Sequence, residues 1–360
     1  SRSVQGQRLA GRLALPDARS DLNGLRVDVL GAGGVARAVC YGLVEMGCRV
    51  TAFARSRRDT HEFERWGVAI RDWTDRAQSS GEVLVNCTPM GMWPHANESP
   101  MPATTLHNRR LVFDLIYRPL KTKLLVDATT AGCQTLGGLD MFVRQAATQF
   151  ALWTGQTPDV TGASRMLAMG LECEAHRATR RNSVALIGAR GSGKTTVGRL
   201  LARILDIRHV DIDEMVVASS GKTIRQIFAE QGETEFRRLE SDAILLATGT
   251  KTPAVISMGG GAVMDLANIS QVARVARIVW LTAPADVLTG RMAQDRKSGE
   301  NRPSLTKHDA RTEIEEVLRA REPLYRAAAD FILDTSQLDA ADVAQRIASW
   351  IAMDSSLRSE

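Results

Sequence analysis

The sequence has few aromatic residues and no long apolar segment, and each absence argues against a class of protein. Phenylalanine, tryptophan and tyrosine together make up 5% of the 360 residues, which argues against a nucleic-acid surface built on stacking aromatics. No apolar run is long enough to cross a bilayer, and the first residues do not form a signal peptide. We therefore expect a cytoplasmic protein with neither nucleic acid nor membrane as its partner.

Cysteine and histidine lack the spacings of disulfide or metal frameworks. The five cysteines form no C-x-x-C pair, and the six histidines show no metal-ligand spacing, which indicates reduced thiols. With 44% hydrophobic residues and a formal net charge of +5, the composition is that of a globular protein suited to anionic small ligands. The length allows two domains.

The glycine-rich segment at residues 188–195 is the strongest functional signal. It fits the pattern G-x-x-x-x-G-K-S/T and lies between an apolar run at 184–187 and a helical pattern at 197–205. In this strand–loop–helix context, backbone N–H groups and the helix N-terminus surround phosphate oxygens. We expect Lys194 to reach the β- and γ-phosphates and Thr195 to offer its hydroxyl to Mg²⁺.

Two carboxylates, Asp211 and Asp213, follow this segment in a stretch that we expect to be a strand over 208–213. Strand alternation would point both side chains to one side. Beside a phosphate loop, one carboxylate could hold Mg²⁺ through water while the other takes or orients a hydroxyl proton. We also expect Asp213 to cap the helix that follows.

Further downstream, a glycine run and a polar segment favour ligand binding. Three glycines at 259–261 follow an apolar strand, and they allow a ligand to approach the backbone closely. The polar segment at 293–307 is predicted to be a mobile lid, with Arg302 as the side chain that contacts phosphate on closure.

The second half, from residue 183 to about residue 351, closely resembles shikimate kinase. The resemblance is carried by six motifs in order, namely G-x-x-G-x-G-K-T, D-I-D, G-E-x-x-F-R-x-x-E, G-G-G, N-R-P and R-E-P-L-Y. It implies an α/β fold, a P-loop parallel sheet of the nucleoside monophosphate kinase type with helices on both faces. It also implies ATP-dependent, Mg²⁺-assisted phosphorylation of the 3-hydroxyl of shikimate.

The resemblance implies a role for residues in each motif. ATP would contact the lid residue Arg302 and the phosphate loop, which consists of Gly188, Ala189, Arg190, Gly191, Ser192, Gly193, Lys194, Thr195 and Thr196. Shikimate would be held by Asp213, Arg237, Gly259, Gly260, Gly261 and Arg321. Mg²⁺ would bind Thr195, with Asp211 in the surrounding shell, and the catalytic residues would be Asp213, Lys194 and Arg302. Arg291 and Arg296 are two open candidates for an arginine beside the adenine.

A second glycine turn opens the first half of the chain. A strand at 26–30 leads into G-A-G-G at 31–34 and a helix to residue 46, and another strand covers 49–54. This order is a βαβ unit with a dinucleotide-type turn. The second strand ends in Arg55, Arg57 and Arg58 rather than in a carboxylate, which favours NADP over NAD. A solvated basic loop is the alternative.

Four motifs of this half closely resemble the cofactor-binding domain of shikimate dehydrogenase. They are G-A-G-G, N-C-T-P-M-G-M, D-L-I-Y-R-P and G-G-L-D-M-x-V-x-Q-A. The resemblance implies a Rossmann-like doubly wound sheet, with Tyr117 and Gln145 facing a shikimate pocket. It also implies NADP bound by Gly31, Gly33, Gly34, Arg55, Thr88 and Met92, with Gly138 near the nicotinamide.

The first half departs from that family in its catalytic residues. The family carries a catalytic lysine and an N-T-D motif in a separate N-terminal domain, whereas this sequence has no lysine before Lys121 and no N-T-D before Gly31. Ala54 also stands where the family usually has asparagine. We expect this half to bind nucleotide weakly or to act as a scaffold, with any missing lobe supplied by a longer chain or a partner.

The predicted organisation is an N-terminal remnant at 1–21, a dehydrogenase-like domain at 22–165, a linker at 166–182 and a kinase domain at 183–360. Three alternatives stay open: a bifunctional NADP-dependent dehydrogenase–kinase, another P-loop kinase such as a gluconate-type kinase, and a non-catalytic nucleotide-binding module. The two arginines beside the glycine run argue against the gluconate type. The intact set of Lys194, Asp213 and Arg302 argues against the third.

Overall fold

The computed structural model describes residues 23–56, 60–177, 182–294 and 310–356. The chain forms two compact units that divide between Ser164 and Arg165. No helix in the described ranges is both long and apolar enough to cross a membrane. The expected N-terminal remnant and the lid segment from residue 295 lie outside the described residues.

The first unit is built on a parallel sheet of six described strands. These are β1 (Arg26–Leu30), β2 (Arg49–Ala54), β3 (Ala69–Asp72), β4 (Val83–Asn86), β5 (Leu111–Asp114) and β6 (Gln134–Gly137). The helices are α1 (Gly34–Glu45), α2 (His61–Arg65), α3 (Lys123–Thr130), α4 (Leu139–Thr154) and α5 (Val160–His176), the last of which crosses the division. The strand order β3-β2-β1-β4-β5-β6 confirms the Rossmann-like doubly wound sheet.

The two strands at the reversal, β1 and β4, carry mostly apolar residues and are buried apart from Arg26, because helices and loops cover both faces of the sheet. Val27 and Val29 of β1 and Val83 and Val85 of β4 are buried in one core cluster. The sequence did not indicate β3 and β6, whose residues are mostly exposed or half-buried and lack such an apolar run. Because the strand order reverses between β1 and β4, the carboxyl ends of these two strands flank the crevice where such sheets bind ligands.

One charge interrupts this core. Asp28 in β1 is buried, and its carboxylate forms an ion pair with Arg109, whose side chain is 2% exposed. The carboxylate also accepts a hydrogen bond from the Gly81 N–H at 2.8 Å, while Arg109 donates to the Gly81 carbonyl at 2.6 Å. Arg109 donates as well to the Ser79 carbonyl at 2.9 Å. This group ties the segments that precede β4 and β5 to the centre of the sheet.

The second unit is a parallel sheet of five described strands, β7 (Ser183–Ile187), β8 (Arg208–Asp211), β9 (Ala254–Ser257), β10 (Ala276–Thr282) and β11 (Phe331–Asp334). Its remaining helices are α6 (Lys194–Ile204), α7 (Ile212–Ser220), α8 (Ile224–Thr248), α9 (Leu266–Ala273), α10 (Ala285–Gln294), α11 (Ala310–Ala328) and α12 (Ala340–Ser356). The strand order is β11-β10-β7-β9-β8. This confirms the predicted P-loop α/β sheet, with β7 at its centre.

The strand expected over 208–213 is shorter than predicted. It ends at Asp211, and Asp213 lies in the first turn of α7. Asp211 Oδ1 accepts the Asp213 N–H at 3.0 Å and the Glu214 N–H at 3.3 Å. The predictions that strand alternation aligns both carboxylates and that Asp213 caps the helix are therefore wrong, because Asp211 itself is the N-cap.

Three helices have bounds or bends that bear on the packing of the chain. Helix α5 covers much of the segment assigned to a linker, and its Met169 and Cys173 are buried in a core cluster of the second unit. Helix α11 continues through Pro323 to Ala328, although proline lacks the N–H that an inner helical turn uses. Helix α8 bends at Gly232, whose φ of 80° lies outside the helical region.

We predict that replacing Arg109 with methionine lowers the free energy of unfolding of the first unit by about 3–5 kcal/mol, because Asp28 would remain buried without its counter-charge. Hydrogen exchange of peptides from β1 and β4 in the full chain measures the change in that unit. The neighbouring Arg110 is exposed, so Arg110→Met serves as the matched control. Equal exchange in the two variants would contradict the prediction.

Candidate active site

The phosphate loop leaves the central strand β7 and enters α6. Gly188, Gly191 and Gly193 have φ angles of 142°, 81° and 88°, which favour glycine. A Cβ atom on Gly188 would collide with the carbonyl oxygen of Leu281, and one on Gly191 would lie 2.8 Å from the carbonyl oxygen of Leu288. The loop conformation therefore requires glycine for both its torsion angles and its packing.

Backbone carbonyl groups of the loop hold the side chain of Lys194 in place. Its ammonium group donates to the carbonyl oxygens of Gly188 and Ala189, both at 2.9 Å, and lies 3.4 Å from the Ser192 hydroxyl. Phosphate oxygens are stronger acceptors than carbonyls because they are charged. The ammonium group is thus positioned to exchange these bonds for bonds to a bound phosphate.

Thr195 and Asp211 bring two oxygen ligands together next to the loop. The Thr195 hydroxyl donates to Asp211 Oδ2 at 2.7 Å. Hydroxyl and carboxylate oxygens suit Mg²⁺, which takes its other ligands from substrate phosphates and water. The described residues contain no group of three or more carboxylate, histidine or cysteine side chains that could enclose a metal. The two side chains therefore fit a Mg²⁺ site completed by a nucleotide.

Ser257 and His209 form a hydrogen-bonded pair that contacts the backbone of the phosphate loop and that the sequence did not indicate. The Ser257 hydroxyl donates to the carbonyl oxygen of Lys194 at 3.1 Å and lies 2.9 Å from Nε2 of His209. Burial lowers the pKa of His209, so the ring is neutral near pH 7. A Cβ atom on Gly198 would lie 2.7 Å from both groups. Helix α6 can thus approach β8 and β9 closely only with glycine at this position.

The glycine run at 259–261 packs against two charged side chains. A Cβ on Gly259 would collide with Oε1 of Glu240, and a Cβ on Gly261 would collide with the guanidinium of Arg237. Arg237 donates to Glu240 Oε2 at 2.8 Å, and the Glu240 side chain is 1% exposed. Arg237 also donates to Glu233 at 3.0 Å. Two carboxylates therefore hold this guanidinium against the glycine turn.

Helix α11 places a second arginine at the same turn. Arg321 donates to the carbonyl oxygen of Gly260 at 3.1 Å, and the Tyr325 hydroxyl donates to the same oxygen. Burial raises the pKa of Tyr325 to about 12, so the hydroxyl keeps its proton and acts as a donor. Arg237 and Arg321 thus both meet this three-residue turn.

Asp213 lies beside the glycine turn, in a cleft that the phosphate loop also lines. Its Oδ1 would be 3.4 Å from a Cβ on Gly259, and the residue lines a cleft of about 580 Å³ together with the phosphate loop. The same cleft is lined by Asp211, Gly260 and Arg291. The carboxylate therefore shares one cleft with the phosphate loop and Gly260, whereas the predicted residues Arg237, Gly259, Gly261 and Arg321 do not line that cleft.

The structure brings together most of the residues that the sequence singles out in the second unit. The cleft is lined by Arg190, Gly191, Ser192, Gly193, Lys194, Thr195, Thr196, Asp211, Asp213 and Gly260. Of the two adenine-side candidates, Arg291 lines it and donates to the Thr335 carbonyl at 2.6 Å, whereas Arg296 lies outside the described residues. Arg302 also lies outside them.

Two buried residues of the site received no role at the level of sequence. Glu240 holds Arg237, and Tyr325 holds the Gly260 carbonyl. Each is the last residue of a motif that carries the resemblance, in G-E-x-x-F-R-x-x-E and R-E-P-L-Y. Their motif positions were the available signal, whereas nothing in the sequence pointed to His209 and Ser257.

In the first unit, the glycine turn lies at the reversal of the sheet. Gly31 has a φ of 105°, and a Cβ there would lie 3.2 Å from Cγ2 of Thr88. A Cβ on Gly33 or Gly34 would have no neighbour within 4 Å, so the space in front of the α1 N-terminus is open. A Cβ on Gly138 would collide with the Leu115 carbonyl. The turn after β1 and the loop after β4 therefore meet, as a dinucleotide site requires.

A buried polar network supports the loop after β4. Asn86 donates to Asp114 Oδ1 at 3.0 Å and accepts the Thr88 hydroxyl at 2.7 Å, while Thr122 donates to Asp114 Oδ2 at 2.6 Å. Burial raises the pKa of Asp114, and the hydrogen bonds from Thr122, the Ile116 N–H and Asn86 oppose this rise. The network orients Thr88, and the sequence did not indicate it.

The remaining predicted residues of this unit lie at its surface. Arg55 and Gln145 are exposed, and Met92 is 45% exposed. Tyr117 stacks on Phe142 with 4.5 Å between ring centroids. Arg57 and Arg58 lie outside the described residues.

Comparison with known proteins gives a different relative for each unit. A family model described as shikimate kinase matches residues 190–352, and one described as the shikimate 5'-dehydrogenase C-terminal domain matches residues 138–162. The shikimate dehydrogenase (NADP(+)) of Moorella thermoacetica is 36% identical over 172 residues, which cover 44% of this chain and 58% of that protein. The chain thus spans little more than half of that dehydrogenase.

The kinase unit has relatives matched over most of their length. The shikimate kinase of Rhodopirellula baltica is 42% identical over 151 residues, 42% of this chain and 80% of that protein. A solved shikimate kinase from Acinetobacter baumannii, in complex with shikimate, is 32% identical with a TM-score of 0.45, covering 51% of this chain and 98% of that chain. Because the Rhodopirellula relative is matched over 80% of its length, the chain belongs to the shikimate kinase family, with a shikimate dehydrogenase-like part preceding the kinase.

Proposed function

We propose that the chain transfers the γ-phosphoryl group of ATP to the 3-hydroxyl of shikimate, giving shikimate 3-phosphate for aromatic amino-acid biosynthesis in the cytoplasm. One observation carries the proposal. Arg237 and Arg321 both contact the turn at 259–261, and Asp213 lies beside that turn in a cleft that the phosphate loop also lines. An acidic, hydroxylated acceptor could thus be held beside a nucleotide.

The acceptor is proposed to bind through its carboxylate and its hydroxyls. Arg237 and Arg321 present planar guanidinium groups, which suit forked hydrogen bonds to a carboxylate. Glu240 is buried against Arg237 and fixes its orientation, so the guanidinium is preorganised before the acceptor arrives. Asp213 accepts hydrogen bonds from ring hydroxyls and turns the 3-hydroxyl towards the phosphate loop.

Phosphoryl transfer in this site depends on positioning and charge. Lys194 transfers its hydrogen bonds from the loop carbonyls to phosphate oxygens, and the loop N–H groups surround the same phosphates. Asp213 orients the 3-hydroxyl and takes its proton as the oxygen–phosphorus bond forms, while the bond from the γ-phosphorus to the β,γ-bridging oxygen breaks and ADP leaves. Thr195 and Asp211 would hold a Mg²⁺ ion, which would offset phosphate charge. Arg302 is proposed to add positive charge from the lid, and Arg291 to lie beside the adenine.

The first unit is proposed to bind NADP. The open space in front of α1, the contact of Gly31 with Thr88 and the exposed Arg55 after β2 support a dinucleotide at the reversal of the sheet. Arg55 would meet the 2'-phosphate. Dehydrogenase activity requires catalytic groups in addition to those of this unit, and a longer chain or a partner is proposed as their source.

We predict that the purified chain phosphorylates shikimate with ATP and Mg²⁺ and does not phosphorylate gluconate. Asp213→Ala is expected to lower turnover at least 10²- to 10³-fold, by analogy with other transition-state contacts, while ATP binding persists because the phosphate loop is intact. A coupled assay and a nucleotide titration measure both. Asp242 is exposed on α8, so Asp242→Ala is the control. Near-normal activity of Asp213→Ala would refute its role.

We predict that Gly261→Ala raises the KM for shikimate about 10- to 100-fold, the equivalent of one charge-assisted hydrogen bond, because the added Cβ displaces the Arg237 guanidinium. The KM for ATP is expected to change little. Gly170→Ala is the matched control, since a Cβ there would make only an ordinary contact at 3.9 Å. An unchanged KM for shikimate would show that Arg237 does not grip the acceptor.

For the first unit, calorimetry is expected to show tighter binding of NADPH than of NADH. Arg55→Gln should remove this preference by weakening NADPH alone, because NADH lacks the 2'-phosphate. Arg110 is exposed and lies at the amino end of β5, whereas Arg55 follows the carboxyl end of β2. Arg110→Gln therefore provides the control substitution. Absence of binding by either dinucleotide would refute this assignment and leave the kinase proposal unaffected.

A further inference from the structure

A second cleft opens on the kinase unit, away from the candidate active site. It has a volume of about 700 Å³ and is lined by Arg199, Arg203, Asp206, Arg208 and His209, with Pro253 on one side. Helix α6 begins at Lys194, so Arg203 lies about 13 Å along the helix from the phosphate loop. Strand β8 likewise begins at this cleft with Arg208 and ends in the active site.

The lining of this cleft carries an excess of positive charge. Arg199 pairs with Glu214 at 2.5 Å. Arg208 donates to the Thr250 hydroxyl, and neither Arg203 nor Arg208 forms an ion pair with a carboxylate in the described part of the chain. Asp206 is the acidic residue of the lining. Its charge offsets that of a single arginine.

Two of the arginines lie on the same helix, and Glu214 pairs with only one of them. Arg199 and Arg203 are four residues apart on α6, where like charges repel one another. The turn through Asp206, whose φ is 52°, returns the chain so that Arg208 joins them. Three guanidinium groups around one cleft match the several acceptor oxygens of phosphates or carboxylates. The volume lies in the range of small-molecule sites.

We propose that this cleft binds a small polyanion, carrying two or more phosphate or carboxylate groups, at a site separate from those for ATP and shikimate. The occupant would contact His209, which bonds to Ser257, and Ser257 in turn holds the carbonyl oxygen of Lys194. A ligand in the cleft is thus two hydrogen bonds from the backbone of the phosphate loop.

The site is tested by calorimetric titration of tripolyphosphate, and separately of citrate, into the full chain. Saturating Mg²⁺ and a non-hydrolysable ATP analogue keep the phosphate loop occupied. A separate titration of the analogue into the chain verifies this occupancy. We expect one further binding event that Arg203→Gln/Arg208→Gln weakens at least tenfold. Arg346 is exposed on α12 and lines neither cleft, so Arg346→Gln should bind like the parent chain. Comparison of the two probes distinguishes a phosphate ligand from a carboxylate ligand.

A second measurement needs no nucleotide. Phenylglyoxal modifies accessible arginines, and peptide mass spectrometry reports modification at each position. Tripolyphosphate or citrate should protect Arg203 and Arg208 and leave Arg346 reactive. Equal affinity in the double variant and the parent chain, or equal modification of Arg203 and Arg208 with and without both probes, would overturn the proposal.

Discussion

The kinase unit depends on the close approach of a glycine turn to an ion pair whose glutamate is buried. Glu240 and Arg237 occupy the space that side chains at 259 and 261 would fill. The glutamate is buried, and a buried carboxylate without its partner is costly. The glycines of the turn, Glu240 and Arg237 therefore depend on one another. Replacing any of them would disturb the packing or the ion pairing of the rest. Arg321 and Tyr325 complete it by bonding to the carbonyl that the turn exposes.

Each unit has a glycine loop at the end of its first strand, and different neighbouring groups support the two loops. Both are parallel sheets in which strand order reverses beside the first strand, and both place a glycine loop at the carboxyl end of that strand. In the second unit, the loop wraps its own lysine and carries a threonine next to a carboxylate. In the first unit, the space before α1 is open, and the support comes from the Asn86–Asp114–Thr122 network. The chemistry of each site thus follows from what surrounds the loop.

The sequence predicted both sheets and most of the candidate kinase site because these depend on local patterns. Apolar runs flanking glycine loops identify the central strands, and the motifs name the phosphate-loop residues, Asp211, Asp213 and Gly260, which line the cleft. The error at Asp213 arose because alternation was extended past the end of β8, whereas Asp211 caps α7 and stops the strand. The His209–Ser257 contact and the Asp28–Arg109 ion pair could not be predicted for a different reason. Each contact joins two residues far apart in the chain, so no local sequence pattern indicates it.

Asp211 has two tasks, one for each carboxylate oxygen. Oδ1 caps α7, and Oδ2 accepts the hydroxyl of Thr195. Asparagine is as good an N-cap as aspartate, but it lacks the charge that the proposed Mg²⁺ site needs. Aspartate and asparagine codons differ by a single base, so one point mutation in the gene would keep a capping oxygen for α7 and remove the negative charge that the proposed Mg²⁺ site uses.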